Sequence, residues 1–311
     1  MFSHTIKRRA DVTCGSMYRS NSKFKPRILA YDFGWALDCL KVRGRIDHFE
    51  WSTDSRLLPE AHVVLFHIPT SRNVTKIKKY PGQIWVGMSL ESDVNYPCMS
   101  NPEFMRSFDL TVTYRLDSDI PWTYLGPWDT QALLTAPSPK TADAPTVYFA
   151  SSRFNRSGRA QYVQRLMEHL KVDSYGQRLN NRKLQEDLGV KTKLDTIARY
   201  KFTLAFENSV SPDYVTEKFF QPLMAGSVPV YLGAPNIETF APGERCFIDT
   251  SHYRSPRELA DHLLRLDRNE AEYETFLRWK TQPLRPSFLD MKRRFSGDPL
   301  DRLSAAFQCA P

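Results

Sequence analysis

The chain lacks several things that would have made its function easy to guess. Its five cysteines (Cys14, Cys39, Cys98, Cys246 and Cys309) are scattered, odd in number and form no C-x-x-C pair. Neither a zinc ribbon nor a disulfide framework is indicated, and a reducing compartment is favoured. Nowhere do 18 apolar residues run together, and the opening MFSHTIKRRADV lacks the apolar stretch of a signal peptide. The chain as given is therefore expected to be soluble and cytoplasmic, the alternative being a domain separated from a membrane anchor. There is no H-x-x-x-H, G-x-G-x-x-G or G-x-x-x-x-G-K-[ST], so zincin, classical dinucleotide-binding and P-loop readings lose support.

Hydrophobic residues make up 41% of 311, enough for one large domain or two of ordinary size. Aromatics are frequent at 13%, and most of them must serve packing. The net charge of +8 invites a nucleic-acid reading. The basic residues are spread out, however, apart from short clusters at Lys7–Arg9, Lys76–Lys79 and Lys292–Arg294. No nucleic-acid signature accompanies them, so no nucleic-acid partner is expected. A polyanionic small ligand, or peripheral contact with an acidic membrane surface, fits the charge as well.

Short apolar runs bounded by proline and charge predict strands over 27–33, 61–69, 83–92 and 110–116. The Pro-, Ala- and Thr-rich stretch 133–146 reads as a linker. Strands are then expected at 147–152, 172–176, 201–209 and 228–233, with helices at 156–170, 214–225, 255–266 and 269–279. Alternating strands and helices imply parallel sheets. The expected layout is a mobile basic arm over 1–25, an α/β domain over 26–135, a linker at 136–146, a second α/β domain over 147–282 and a tail over 283–311.

The most informative stretch is DYVTEKFFQPLMAGSVPVYLGAPN, residues 213–236. Asp213 is placed to cap a helix. Val215, Phe219 and Leu223 recur every four residues as its buried stripe, and Gly226 suits its stop. Lys218 then lies near the positive end of the helix dipole, where a cation is unfavourable. An anion at that end would make sense of it; a solvated lysine is the alternative. Upstream, Glu207 and Asn208 leave a strong strand at the end where open α/β sheets bind ligands, though strand termination alone would also explain them. Arg159 repeats the pattern of a cation at a strand–helix turn. Glu91 ends the run IWVGMSLES, where partial burial would raise its pKa toward a general base; a surface turn residue is the alternative. Asp117-Ser-Asp119 matches a metal-holding D-x-D spacing, but three residues match by chance often and a capped turn is the preferred reading.

The block YKFTLAFENSVSPDYVTEKFFQPLMAGSVPVYLGAPN (200–236) resembles the signature of the α1,3/4-fucosyltransferases, glycosyltransferase family 10. Its wording is most similar to the plant and invertebrate core α1,3-fucosyltransferases. RSPRELADHLLRLDRNEAEYETFLRWK (254–280), WVGMSLES, TVTYRLDSDIP and GRAQYVQRL extend the resemblance to roughly residues 81–280. It implies a GT-B fold, two Rossmann-like domains facing across a cleft. It implies inverting transfer of L-fucose from GDP-β-L-fucose to O3 of N-acetylglucosamine in a glycan acceptor, with no metal or other cofactor; the alternatives are a GT-B glycosyltransferase using another nucleotide-sugar donor and a non-catalytic glycan-binding protein. By matching position, Glu91 would be the general base. Arg159 and Lys218 would hold the diphosphate, Glu217 the ribose, and Asn208 and Tyr214 the nucleotide or fucose. Ser152 and Glu207 are further candidates for donor-loop contacts, although Ser152 stands where the family commonly has asparagine. The family's eukaryotic members carry a membrane anchor and C-terminal cysteine pairs. A Golgi lumenal catalytic domain without its anchor is therefore the alternative to a cytoplasmic enzyme.

Overall fold

The computed structural model describes residues 26–31, 33, 49–126 and 130–308. The expected arm at 1–25 lies outside these residues, as do Cys14, Cys39 and Cys309.

Two parallel sheets carry the fold. In the first, β1 (Arg27–Tyr31), β2 (Glu50–Ser52), β3 (Val63–His67), β4 (Ile84–Ser89), β5 (Leu110–Thr113) and β6 (Ile120–Pro121) lie in the order β2-β1-β3-β4-β5-β6. The second holds β7 (Thr146–Ala150), β8 (Val172–Gly176), β9 (Phe202–Phe206), β10 (Val228–Leu232) and β11 (Ile248–Asp249), ordered β11-β10-β9-β7-β8. Every pairing between neighbours is parallel. The central strands VVLFH, IWVGMS and FTLAF are buried along their whole length. Strands covered on both faces need apolar residues at every position, which is why they read as continuous runs. The three strands with no predicted counterpart, β2, β6 and β11, are two or three residues long and sit at sheet edges.

Helices α1 (Pro102–Met105) and α2 (Gln131–Leu134) are single turns in and after the first half. Around the second sheet lie α3 (Arg159–Leu166), α4 (Val190–Ala198), α5 (Glu217–Ala225), α6 (Pro256–Arg268) and α7 (Glu270–Glu274). Helix α5 begins three residues later than its pattern suggested. Thr216, not Asp213, caps it, accepting from Lys218 N at 3.3 Å. Asp213 instead adopts φ +66°. It is held there by Asn236, which receives its N–H at 2.9 Å and donates to its Oδ1 at 2.8 Å. The stripe of Val215, Phe219 and Leu223 is buried as expected, and Gly226 closes the helix at φ +73°.

From Pro283 the chain continues as helix rather than as an unstructured tail, in α8 (Pro286–Phe295) and α9 (Pro299–Gln308). Pro286 and Pro299 occupy the first positions of these helices, where no N–H is needed. Phe288, Met291 and Lys292 form the buried face of α8, and Lys292 Nζ donates to Gly126 O at 3.0 Å. Leu300 and Leu303 of α9 join the core of the first sheet beside Ile28, Val86 and Trp122. The last described helix thus returns to the half that holds β1.

Candidate active site

The candidate residues gather where the carboxyl ends of β4 and β5 meet the carboxyl end of β9. Open parallel sheets place ligands at this end, because the strands stop there and their loops are free to vary.

On the first side, Glu91 lies two residues beyond β4 and is half-buried. Its backbone N–H donates to Ser89 Oγ at 3.0 Å, which turns the chain at the strand end. Burial lifts the Glu91 carboxyl above its usual value; the Lys218 charge opposes that shift and Glu217 adds to it. These couplings put Glu91 within electrostatic reach of the start of α5, in the other half of the molecule.

On the second side, the start of α5 is a cluster of alternating charge. Glu207, fully buried just past β9, accepts from Thr216 N at 2.8 Å and from Thr216 Oγ1 at 2.9 Å. Lys218 Nζ lies 3.3 Å from Glu207 Oε2 and 3.2 Å from Glu217 Oε1, and donates to Thr216 Oγ1 at 2.9 Å. Burial disfavours the Lys218 charge, yet Glu207 and Glu217 outweigh it and hold the ammonium above its ordinary pKa. Desolvation also opposes the charge of Glu217, whose side chain is more exposed, but Lys218 and Lys193 bring its carboxyl down to about 2. The lysine at the wrong end of the dipole is therefore compensated within the chain. It remains 18% exposed, so one face is left toward solvent.

Arg159 opens α3 after Gly158, whose φ of +72° makes the turn. The arginine is 2% exposed, and its Nη1 donates to Phe206 O at 2.9 Å. Its charge is felt at Lys218, so the two cations share one corner of the site. Ser152 is exposed and turns its own loop, accepting from Phe154 N at 3.2 Å. That loop is hooked to the site by Ser157, whose Oγ donates to Glu207 O at 2.6 Å.

Asn208 and Tyr214 are engaged with the opposite half. Asn95 Nδ2 donates to Asn208 Oδ1 at 2.8 Å. Tyr214 is buried and lies edge-to-face with Tyr114, ring centroids 5.0 Å apart, with Tyr124 on a further side at 6.4 Å. Burial, with Glu207 and Glu91 nearby, pushes the Tyr214 phenol well above its usual pKa and keeps it neutral.

The D-x-D carboxylates are committed elsewhere. Asp117 is paired with Arg115 at 2.8 and 2.9 Å, and Asp119 Oδ2 accepts from Thr111 N at 2.8 Å and from its Oγ1 at 2.7 Å. This is the capped-turn reading of that motif.

Four residues at the site carried no sequence signal of their own. Lys193 projects from α4 over the Phe149 ring at 5.8 Å and lines a small cavity with Lys218 and Gln221. Asp93, Asn95 and Ser211 bridge the two halves. Asp93 and Asn95 follow Glu91 closely in sequence, but which element they would face depends on the docking of the second half.

This architecture, two parallel α/β halves meeting at their strand ends, is the GT-B fold of the nucleotide-sugar-dependent glycosyltransferases. Solved structures agree with it. An alpha1,3-fucosyltransferase with GDP matches with a TM-score of 0.60 at 15% identity, covering 97% of this chain and 95% of that one. An alpha1,3-fucosyltransferase crystal structure matches at TM-score 0.61 and 17% identity, covering 96% and 93%. The family follows from sequence. The family model for glycosyltransferase family 10 (fucosyltransferase) C-term matches residues 139–298, and that for the fucosyltransferase N-terminal region matches 17–125. The 4-galactosyl-N-acetylglucosaminide 3-alpha-L-fucosyltransferase FUT6 of Pan troglodytes is 36% identical over 255 residues, 78% of this chain and 68% of that protein. The 3-galactosyl-N-acetylglucosaminide 4-alpha-L-fucosyltransferase FUT3 of Homo sapiens is 37% identical over 246 residues, 76% of this chain and 65% of that protein. The chain belongs to glycosyltransferase family 10, the fucosyltransferases, and spans about two thirds of the length of these relatives.

Proposed function

We propose that the protein transfers L-fucose from GDP-β-L-fucose, with inversion, to O3 of an N-acetylglucosamine unit in a glycan acceptor. The observation that carries this is Glu91: a half-buried carboxylate with a raised pKa in one half, within electrostatic reach of Lys218 and Glu217 at the start of α5 in the other. Inverting transfer is a single in-line displacement, so base and leaving-group site must oppose one another. Glu91 would take the proton of the acceptor hydroxyl as that oxygen bonds to the anomeric carbon. The bond from that carbon to the β-phosphate oxygen would break, with its electron pair leaving on GDP.

The leaving diphosphate gains negative charge in this step. Lys218, Arg159 and the positive end of the α5 dipole would stabilise it, and preorganised charges of this kind need no rearrangement during reaction. Glu217, kept ionised, would accept from the ribose hydroxyls, while Asn208 and Tyr214 would position nucleotide and fucose. No metal is assigned a part, since the chain's own cations supply the charge and Asp117 and Asp119 are bonded elsewhere.

The test is turnover of GDP-fucose with an N-acetylglucosamine-containing acceptor and assignment of the product linkage by NMR. An α1,3-fucoside is expected. Hydrolysis or transfer only from UDP-sugars would overturn the reading.

A further inference from the structure

Asp93 is the most heavily bonded carboxylate between the two halves, although the reaction as drawn gives it no part. Its Oδ1 accepts from Ser211 Oγ at 2.7 Å, from Tyr114 OH at 2.9 Å and from Val94 N at 2.9 Å. Tyr114 and Ser211 are 0% and 2% exposed, and their hydroxyl oxygens lie 3.0 Å apart. Ser211 belongs to the loop between β9 and α5, the loop that carries Asn208 and Tyr214. Tyr114 follows β5. One carboxylate oxygen therefore ties three segments together: the Glu91 loop, the end of β5 and the donor-side loop. Hydrogen bonds to a charged acceptor are the strong ones, and here two of them come from buried hydroxyls.

Around this point the halves are stitched twice more. Asn95 donates to Asn208 across the seam, and Leu116 N donates to Asp213 Oδ2 at 3.1 Å. The other amide atom of Asn95, Oδ1, is buried without a partner. The Asn95 contact alone is therefore an incompletely satisfied one, and Asp93 supplies the better-bonded anchor two residues earlier.

We propose that Asp93 is a positioning residue, docking the Glu91 loop onto the donor-side loop through Ser211 and Tyr114 and so fixing the distance between base and leaving group. The proposal rests on the fucosyl-transfer reading for its kinetic consequence, but not for its structural one. Effective catalysis requires reacting groups held at near-contact geometry, and a displacement of about 1 Å can cost roughly a hundredfold. Nothing in the network bonds to Lys218 or Arg159, so GDP affinity should fall less than kcat.

The test compares Asp93→Ala, Ser211→Ala and the double variant, each checked by thermal melting. Hydrogen exchange on the donor-free protein should show faster exchange in both 90–96 and 208–214 for Asp93→Ala. Under turnover, kcat should fall by roughly a hundredfold, with GDP affinity falling much less. Ser211→Ala, which keeps the Tyr114 bond, should show the same split more weakly. The double variant should be no worse than Asp93→Ala, because the two substitutions remove one shared bond. Unchanged exchange in both loops, or losses that multiply in the double variant, would overturn the proposal. If the parent protein fails to transfer fucose, the functional reading falls while the exchange result still decides the docking role.

Discussion

Lys218 Nζ and the carboxylate of Glu207 stand 3.3 Å apart, and the carboxylate is completely buried. This pair couples the strand end to the helix start, since Glu207 leaves β9 and Lys218 sits in the first turn of α5. Glu207 also satisfies Thr216 twice, through its N–H and its hydroxyl. Glu207→Ala should leave a largely buried ammonium with one carboxylate fewer and the cap without its acceptor. Removing one partner of a buried pair costs about 3 kcal/mol, read as a lowered urea midpoint with an unchanged slope. Glu207→Gln, which can still accept from Thr216, should lose less.

Glu91 should govern the acid side of the pH–rate profile. A base must be ionised, and burial raises this carboxyl above an ordinary glutamate. Activity should therefore fall as pH drops through a value higher than that of an exposed glutamate. Glu91→Ala should lose roughly 10²–10⁴ in kcat while still binding GDP in calorimetry. Glu217 raises the Glu91 pKa, so Glu217→Gln should move the acid limb to lower pH in whatever activity remains. An acid limb that stays put in Glu217→Gln would place the titrating base elsewhere.

Strand cores were readable because residues such as those of VVLFH and FTLAF are buried on both faces and leave no alternation to misread. Lys218 was readable as an anomaly, because dipole and charge conflict within five residues of local sequence. Its compensation by Glu207 was not, since the pairing depends on the chain returning from Thr216 to the end of β9. The cap was misassigned for a similar reason. Asp213 has the right chemistry for an N-cap, but Asn236, 23 residues away, claims its side chain and backbone. Asp93, Ser211 and Lys193 acquire meaning only once two elements distant in sequence are docked. The helices after Pro283 were obscured because proline at a helix start and proline in a loop look alike without the packing of Phe288 and Leu300.

Gly226 should resist substitution. It ends α5 at φ +73°, and a Cβ built there would lie 2.8 Å from Pro137 Cα, an atom of the backbone linking the two sheets. Gly226→Ala would thus meet both an unfavourable backbone conformation and a neighbour that cannot rotate away. A loss of about 2 kcal/mol is expected, visible as a lower melting temperature. Gly158→Ala is the control: its φ is +72° but nothing lies within 4 Å of the added carbon, so only the backbone cost, about 1 kcal/mol, should appear.

Stability should rise between about pH 8 and pH 9.5, opposite to the behaviour of a protein held by exposed lysine salt bridges. Lys140 lies within the linker between the sheets, and Lys280 meets the chain just before it. Lys140 Nζ donates to Ala198 O at 2.9 Å and Gly226 O at 2.7 Å, and Lys280 Nζ donates to Leu133 O. Burial lowers both to about 8, with Lys140 adding to the shift at Lys280. In the unfolded chain each would titrate near 10.5. Between these values the unfolded state holds more protons than the folded one, so raising pH favours folding. Below about pH 8 both states are protonated and the dependence should vanish. Urea unfolding at pH 7, 8 and 9.5 measures this directly. Lys280→Met keeps the side-chain length without the charge and should flatten the rise. An unchanged slope in that variant, or a stability that falls over this range, would show that the buried ammonium groups are not the source.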